Sequence, residues 1–248
     1  MKLTVVGCAG SFPGPDSPAS CYLVEHDGSR ILLDLGNGSL GMLQNYADIY
    51  DVDAVFLSHL HVDHCMDLCS YYVARKYHPD GAHSRIPVFG PSGTADRMAA
   101  AYGLARNPGM HEEFNFMRHA PGATVVGPFT VETVRVTHPV EAYSIKVSAN
   151  GQSLVYSGDT GPTDALVELA RGADLALFEA SFVDRPDNPP DLHLTGAQAA
   201  DHARRAGVGR LVLTHLVAWN EIDQVRAEAA AVYDGELLTA VTGLQVEV

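Results

Sequence analysis

The chain has 248 residues, of which 46% are hydrophobic, and its 30 acidic and 16 basic side chains give a formal charge of −14. This composition excludes wholesale disorder, and the acidity argues against a protein that wraps long nucleic acid by charge alone. No apolar run approaches the roughly 18 to 20 residues of a membrane helix, and the N-terminal residues run directly into a strand-like segment, so we expect neither a membrane span nor a signal peptide. Four scattered cysteines do not form the pattern of a disulfide scaffold, which favours a reducing, cytoplasmic compartment.

Strand-like and helical segments alternate along the chain without a low-complexity linker, which predicts a single α/β domain over residues 1–248. The predicted strands are 3–6, 21–25, 30–33, 54–57, 86–89, 129–136, 143–147, 153–156, 175–178 and 208–213, and a last strand closes the chain. The predicted helices are 65–76, 93–103, 162–171, 195–206 and 220–233, with Pro162 in the first turn of one and Thr195 as the N-cap of another.

Two strand-then-glycine turns in opposite halves of the chain resemble each other. Residues 31–36 carry Asp34 and residues 154–159 carry Asp159. Turn chemistry alone explains the likeness as coincidence. The alternative is a pair of similar β/α halves that face each other, with a site between their strand ends.

The segment SHLHVDH at residues 58–64 places three histidines and an acid directly after a predicted buried strand. In a loop with alternating side-chain directions, His59 and His61 would bind one metal ion, and Asp63 and His64 would turn to a second. Imidazole and carboxylate together suit Zn²⁺, with Mn²⁺ and Fe²⁺ as alternatives. The competing interpretation is a surface loop that is rich in histidine by chance.

Three further candidate ligands each follow a predicted strand: His138, Asp159 and His215. Taken singly, each has an ordinary structural interpretation, because a histidine after a strand is commonly hydrogen-bonded and an aspartate in a glycine turn commonly shapes that turn. Their shared position at strand ends, together with residues 58–64, favours one metal site built by all of them.

These motifs resemble the metallo-β-lactamase superfamily over essentially the whole chain. The start VVGCAGSFPGPDSPASCYLVE, the following ILLDLGNG and the segment DLHLTGAQAA resemble its tRNase Z-like branch, and most closely a group of atypical cyclic AMP phosphodiesterases from actinobacteria. The resemblance implies an αββα sandwich with a dinuclear zinc site at one edge of the sheets. It also implies that one ion is bound by His59, His61 and His138, the other by Asp63, His64 and His215, and that Asp159 bridges both.

Two divalent ions roughly 3.5–4 Å apart can hold an activated hydroxide between them and neutralise the oxygens of a phosphodiester. Asp63 would orient that nucleophile and accept its proton. His193 would be the general acid for the leaving alkoxide, as the resemblance also implies; the alternative makes it a hydrogen-bonded residue at a helix start. Asp34 and Glu179 end apolar strands, where they would either orient metal-bound histidines or bond a loop backbone. The sequence does not decide the roles of Cys65 and Trp219.

The spacing between His138 and Asp159 bears on the substrate. Only residues 139–158 separate the two positions, and they predict two strands joined by an Asn150-Gly151 turn, which leaves no room for the tRNA-docking arm of tRNase Z proteins. We therefore expect a small phosphodiester, with cyclic AMP favoured by the resemblance, and no extended nucleic-acid binding. A tRNA 3′-processing endoribonuclease, a lactone or β-lactam hydrolase and a non-enzymatic binding module are the alternatives. The resemblance further suggests a homodimer.

Overall fold

The computed structural model describes all 248 residues as two seven-stranded β-sheets with helices on their outer faces. The strands are β1 (Lys2–Gly7), β2 (Cys21–His26), β3 (Ser29–Leu33), β4 (Ala54–Phe56), β5 (Ile86–Gly90), β6 (Phe114–Arg118), β7 (Ala123–Val126), β8 (Phe129–Arg135), β9 (Tyr143–Ala149), β10 (Gln152–Tyr156), β11 (Leu175–Glu179), β12 (Arg210–Thr214), β13 (Glu236–Thr239) and β14 (Gln245–Glu247). The helices are α1 (Ser39–Leu43), α2 (Val62–Cys65), α3 (Leu68–Lys76), α4 (Thr94–Tyr102), α5 (Asp164–Leu169), α6 (Gly196–Ala206) and α7 (Ile222–Ala230), with a 3-10 turn over Ile49–Asp51.

Both sheets follow one pattern of strand pairing. The first has the order β14-β1-β2-β3-β4-β5-β6 and the second the order β13-β12-β11-β10-β9-β8-β7. In each sheet one strand pairs antiparallel on one side and parallel on the other. This strand is β3 in the first sheet, between β2 and β4, and β10 in the second sheet, between β9 and β11. The turns that carry Asp34 and Asp159 follow β3 and β10, so they occupy equivalent positions in the two sheets.

The period-2 alternation of the strands explains the layering. Ile31 and Leu33 of β3 and Leu177 of β11 lie in the core between the sheets. The intervening Leu32 packs under the helices of the first half, and Phe178 packs under those of the second half. Each of these strands is therefore covered by helices on its outer face and by the other sheet on its inner face. The predicted αββα sandwich is confirmed.

The helix ends show which local signals were correct. Thr195 caps α6 in a reciprocal capping box with Gln198, as predicted. The predicted helix at 162–171 instead begins at Asp164, because the Thr163 side chain accepts from the Ala165 N–H, so Pro162 lies before the cap. The predicted helix at 65–76 is divided into α2 and α3, since Asp67 at the break donates its N–H to Leu35 O.

The sequence did not predict the strands β6 and β7, which lie at one edge of each sheet, or the short helix α1. The single strand predicted at the end of the chain is two strands, β13 and β14, which belong to different sheets. None of the helices combines the length and the apolar character that a membrane crossing requires.

Gly36 lies where the turn after β3 passes residues 58–64, the segment predicted to bind metal. A Cβ atom on Gly36 would stand 2.0 Å from the Asp63 backbone oxygen, so Gly36→Ala forces two backbones apart. We expect a loss of about 1–3 kcal/mol in the free energy of unfolding, measured by urea denaturation. Gly41→Ala is the matched control, because nothing lies within 4 Å of that position in α1 and alanine favours a helix. An equal midpoint for the two variants would contradict the packing argument.

Candidate metal centre

The predicted ligands converge at the edge where the C-terminal ends of the strands of both sheets meet. His59 and His61 follow β4, His138 follows β8, Asp159 follows β10 and His215 follows β12. Asp63 and His64 belong to the four-residue helix α2 rather than to an extended loop, which corrects the expected alternating loop geometry. The short helix turns Asp63 and His64 away from His59 and His61, so the one segment serves two groups of ligands.

His59, His61, His138 and Asp159 form the first group. His61 Nδ1 lies 3.0 Å from His59 Nε2 and 3.3 Å from His138 Nε2, and His59 Nε2 lies 3.6 Å from Asp159 Oδ2. Zinc bonds of about 2.0–2.1 Å in a tetrahedral shell separate ligand atoms by about 3.3 Å. The spacing of these four side chains therefore fits one divalent ion.

Asp63, His64, Asp159 and His215 form the second group. His215 Nε2 lies 3.1 Å from Asp63 Oδ2 and 3.4 Å from Asp159 Oδ1, and His64 Nε2 lies 3.2 Å from Asp159 Oδ1. Asp159 is common to both groups, with Oδ2 toward the first and Oδ1 toward the second. The arrangement fits two divalent ions that share the Asp159 carboxylate.

Hydrogen bonds to the far ring nitrogens orient two of these imidazoles. His64 Nδ1 donates to Asp34 Oδ2 at 2.7 Å. Ser58 Oγ donates to the same Asp34 oxygen, so its own oxygen accepts from His59 Nδ1 at 3.1 Å. Both rings therefore turn Nε2 to the centre, and Nε2 is the atom through which they would bind a metal ion.

Hydrogen bonds also orient the imidazoles of His215 and His138 on the other side of the site. His215 Nδ1 donates to Ser181 Oγ at 2.6 Å, and His138 Nδ1 donates to the Leu192 carbonyl at 3.0 Å. His61 alone turns its Nδ1 to the cluster. Four of the five histidines are therefore held with Nε2 inward before any ion binds.

Asp34 and Glu179, whose roles the sequence left open, are both fully buried and fully hydrogen-bonded. Asp34 accepts from the Ser58 backbone and side chain, from His64 and from Tyr156 Oη. Glu179 accepts from the Thr160 and Ser181 N–H groups, from Ser181 Oγ and from His193 Nδ1. Asp34 thus orients a candidate ligand, and Glu179 orients His193.

Asp159 differs from these two carboxylates. It is buried, and its Oδ1 has no hydrogen-bond partner although imidazole nitrogens surround it. Burial opposes ionisation of Asp159, but the adjacent imidazoles outweigh burial and hold its pKa well below its usual range. A buried carboxylate that has only imidazole nitrogens around Oδ1 favours a cation in this position, and a divalent metal ion would supply the positive charge.

The pKa shifts of the histidines agree with the need for positive charge beside Asp159. Burial, reinforced by the charge of His64, holds the pKa of His59 well below its usual range, and burial also lowers the pKa of His61 and His138. Burial acts in the same sense on His64, but Asp159 and Asp34 outweigh it and hold the pKa of His64 well above its usual range. Positive charge is therefore favoured between the two aspartates.

His193 lies beside the second group, where its Nδ1 donates to Glu179 Oε1 at 2.8 Å and lies 3.9 Å from Asp159 Oδ2. Burial lowers the pKa of His193, but the Glu179 carboxylate outweighs burial and raises that pKa to about 9. His193 is thus a protonated imidazole at the edge of the metal centre.

The sequence did not predict the roles of Ser58, Ser181 and Tyr156, which connect candidate ligands to Asp34 and Glu179 through hydrogen bonds. Their positions gave a weak signal, since Ser58 directly precedes His59 and Ser181 follows Glu179 by two residues. Cys65 takes no part in the ligand groups: its Sγ donates to the His61 carbonyl, and burial raises the pKa of the thiol to about 12. Trp219 lies at the mouth of the site with 72% of its surface exposed.

Comparison with known proteins identifies the class that this fold and site define. The sequence model of the family described as "Beta-lactamase superfamily domain" matches residues 29–216, a span that holds every candidate ligand. The chain belongs to the β-lactamase superfamily.

Particular relatives match over almost the whole chain. Protein ML1173 of Mycobacterium leprae is 43% identical over 98% of this chain and 87% of its own length. YhfI of Bacillus subtilis is 29% identical over 98% of both proteins, and the crystal structure of this metallo-β-lactamase fold protein covers 99% of both chains with a TM-score of 0.88. Ribonuclease Z of Haloferax volcanii is 26% identical over 100% of this chain and 95% of its own.

Asp34 offers a test of whether the hydrogen bonds behind the ligands tune metal binding. Asp34→Asn keeps the shape of the side chain but removes the charge that His64 Nδ1–H donates to, so we expect metal affinity to fall about 10–100-fold. Competition with a chromophoric chelator measures the affinity. Asp53→Asn is the matched control, because Asp53 is exposed and accepts from the Arg30 backbone far from the site. Unchanged affinity in a folded Asp34→Asn protein would contradict the role given to Asp34.

Proposed function

We propose that the protein is a metal-dependent hydrolase of phosphodiesters and that its substrate is a cyclic nucleotide, with cyclic AMP favoured. One observation carries the proposal: two candidate ligand groups share the Asp159 carboxylate, and the hydrogen-bonded His193–Glu179 pair lies beside them. The residues proposed to bind the two ions are His59, His61, His138 and Asp159 for one, and Asp63, His64, Asp159 and His215 for the other. We favour zinc because imidazoles dominate both groups, with manganese or iron as the alternative.

Two bound divalent ions would supply an activated water and neutralise the non-bridging oxygens of a phosphodiester. Asp63 stands where it can orient an attacking water and accept its proton. Asp63 is the less buried of the two carboxylates, with 6% of its surface exposed against 2% for Asp159. The hydrogen bonds from His215 and His64 outweigh burial and hold the pKa of Asp63 below its usual range. An ionised Asp63 keeps the acceptor capacity that proton transfer needs.

His193 is proposed as the general acid for the leaving alkoxide. The Glu179 carboxylate fixes the Nδ1–H and stabilises the imidazolium, which leaves the Nε2–H free for the substrate. An alkoxide is a poor leaving group, so its departure depends on this proton. Glu179 is a positioning residue for His193.

The small-substrate proposal has a structural support. Residues 139–158, between His138 and Asp159, contain the hairpin β9–β10 with a turn at Asn150-Gly151, and this hairpin is a continuous part of the second sheet. A chain with a charge of −14 also repels an extended phosphate backbone.

The four cysteines are free thiols, which supports the proposal of a cytoplasmic location.

A tRNA 3′-processing activity is the second candidate, favoured by the likeness to ribonuclease Z of Haloferax volcanii. A substrate panel separates the candidates. Zinc-loaded protein is expected to hydrolyse 2′,3′- or 3′,5′-cyclic nucleotides and bis-p-nitrophenyl phosphate, and to leave pre-tRNA, a homoserine lactone and a β-lactam intact. Trimming of a tRNA 3′ trailer with intact cyclic nucleotides would overturn the proposal in favour of ribonuclease activity, and lactone turnover alone would overturn it in favour of the lactonase alternative.

His193→Ala is expected to lower turnover of a cyclic nucleotide about 10²–10⁴-fold, because the alkoxide then leaves without a proton donor. Hydrolysis of bis-p-nitrophenyl phosphate should fall much less, since its leaving group is already a stable anion. Metal content, measured by mass spectrometry, should stay near that of the unchanged protein. His111→Ala is the control, as His111 is exposed and remote from the ligand groups. Equal losses for both substrates, or loss of metal, would contradict the general-acid role.

Glu179→Gln is expected to lower the pKa of His193, because the neutral amide no longer stabilises the imidazolium. A general acid acts in its protonated form, so turnover falls as the pH rises through the pKa of His193. The alkaline limb of the pH–rate profile should therefore move to lower pH in Glu179→Gln. An unshifted limb would show that Glu179 does not act through His193.

A further inference from the structure

Two exposed aromatic side chains stand together beside the metal centre. The ring centroids of Phe12 and Trp219 lie 4.9 Å apart, with 38% and 72% of the residue surfaces exposed. Trp219 is the sole tryptophan of the chain. Because large aromatic side chains stabilise a fold by burial, this pair contributes little to folding and is available to a ligand.

Both rings belong to chain segments that lie next to His215, one of the proposed ligands. Trp219 follows His215 by four residues, in a turn that is closed by the Asn220 N–H donating to Val217 O at 2.9 Å. The Asn220 side chain donates to Ser181 O, which fixes this turn against the site. Phe12 follows Ser11, whose N–H approaches His215 Nε2 at 3.3 Å. The aromatic surface is therefore held against the segments that carry Ser181 and His215.

A cavity of about 270 Å³ joins the aromatic surface to the proposed general acid. Trp219, Arg185 and His193 all contribute to its wall. Its volume is close to the lower end of the roughly 300–1,000 Å³ range of small-molecule sites, which suits one planar ring system and its sugar. The loop that carries Arg185 is fixed by the Asn188 side chain, which donates to Val183 O at 2.8 Å.

Arg185 is exposed and has no carboxylate partner within 4.0 Å, in a chain with nearly twice as many acidic as basic side chains. Other exposed arginines are held by acids, such as Arg171 by Glu168 and Arg205 by Asp164. An unpaired guanidinium on the wall of the cavity attracts an anionic ligand.

We propose that this cavity is a nucleotide subsite, in which the base stacks on Trp219, Phe12 supports the Trp219 ring from outside the cavity wall, and Arg185 attracts the phosphate toward the metal centre. The subsite rests on the proposed phosphodiesterase function and adds to it the side chains that select a nucleoside ester over other diesters. Stacking on an aromatic ring tolerates any base, since every base has a π-face, so the subsite selects the presence of a base more than its identity.

Trp219 fluorescence tests the subsite without any turnover. Zinc-loaded protein is titrated with adenosine 5′-monophosphate and, separately, with ribose 5-phosphate, which has the same phosphate and sugar but no base. Saturable quenching by adenosine 5′-monophosphate alone is expected. Equal quenching by both probes, or by neither, would overturn the subsite. Quenching by the nucleotide in a protein that hydrolyses no diester would instead overturn the proposed function and leave the subsite intact.

Substitutions then assign the contributions of the side chains. Phe12→Ala should raise the Kd for adenosine 5′-monophosphate about 5- to 150-fold, as expected for loss of a stacking partner. Arg185→Ala should raise the Kd about two- to fivefold. Arg226→Ala is its matched control, because Arg226 is exposed on α7, has no carboxylate partner and lies outside the cavity. Equal effects of the two arginine variants would overturn the role of Arg185.

Trp219→Ala is tested kinetically. The KM for a cyclic nucleotide should rise at least fivefold with little change in kcat, while hydrolysis of glycerol 1,2-cyclic phosphate, which has no base, stays unchanged. Trp219→Phe should restore most of the affinity. Val125→Ala, at an equally exposed position on β7, is the control. A Trp219→Ala protein with unchanged KM but an altered oligomeric state would overturn the subsite and make the aromatic surface an interface between copies of the chain.

Discussion

The buried carboxylates of the metal centre impose the constraint on which the rest of the site depends. Removing an ionised carboxylate from water costs several kcal/mol unless hydrogen bonds or cations compensate it. Asp34 and Glu179 each accept four hydrogen bonds from the protein. Asp159 Oδ1 accepts none, and Asp63 is approached only by imidazole nitrogens. The first two carboxylates are therefore satisfied by the protein alone, and the other two require cations.

This division explains why equivalent positions in the two sheets have different chemistry. The turns after β3 and β10 both follow the strand at which the pairing changes from antiparallel to parallel, and each carries an aspartate. Asp34 adopts a left-handed backbone conformation and turns toward Ser58 and Tyr156, which occupy its oxygens. At the second position Gly158 adopts the left-handed conformation instead, and Asp159 reaches the gap between the sheets. One topology thus supplies an orienting carboxylate from one sheet and a ligand from the other.

The sequence predicted the parts of this arrangement that follow from local pattern. Histidines after a buried strand, the Thr195 cap and apolar strands such as β3 and β11 need no knowledge of distant residues. The division of residues 62–76 into α2 and α3 could not be predicted, since the break at Asp67 is held by contacts with Leu35 and Leu40 from another segment. The edge strands β6 and β7 contain one buried residue between them, Phe114, so they lack the continuous apolar run that indicates the central strands.

The roles of Ser58, Ser181 and Glu179 were also hidden, because each depends on which side chain the fold brings next to it. Glu179 shows the consequence most clearly. Its Oε1 accepts from His193, and its Oε2 accepts from Ser181 Oγ, which in turn accepts from the ligand His215. One carboxylate therefore orients the proposed proton donor on one side and a candidate metal ligand on the other, through separate oxygens.

That connection makes the two halves of the proposed chemistry geometrically dependent on each other. A shift of β11 moves Glu179, and with it both the imidazole that would protonate the leaving group and the imidazole that would hold an ion. His193 itself makes no such link, since its other contacts are ring packing against Phe182, His138 and His215. Strand β11 lies inside the second sheet, where β10 and β12 restrain it on both sides. The geometry of the site is therefore fixed by Glu179 and β11 more than by the segment that carries His193.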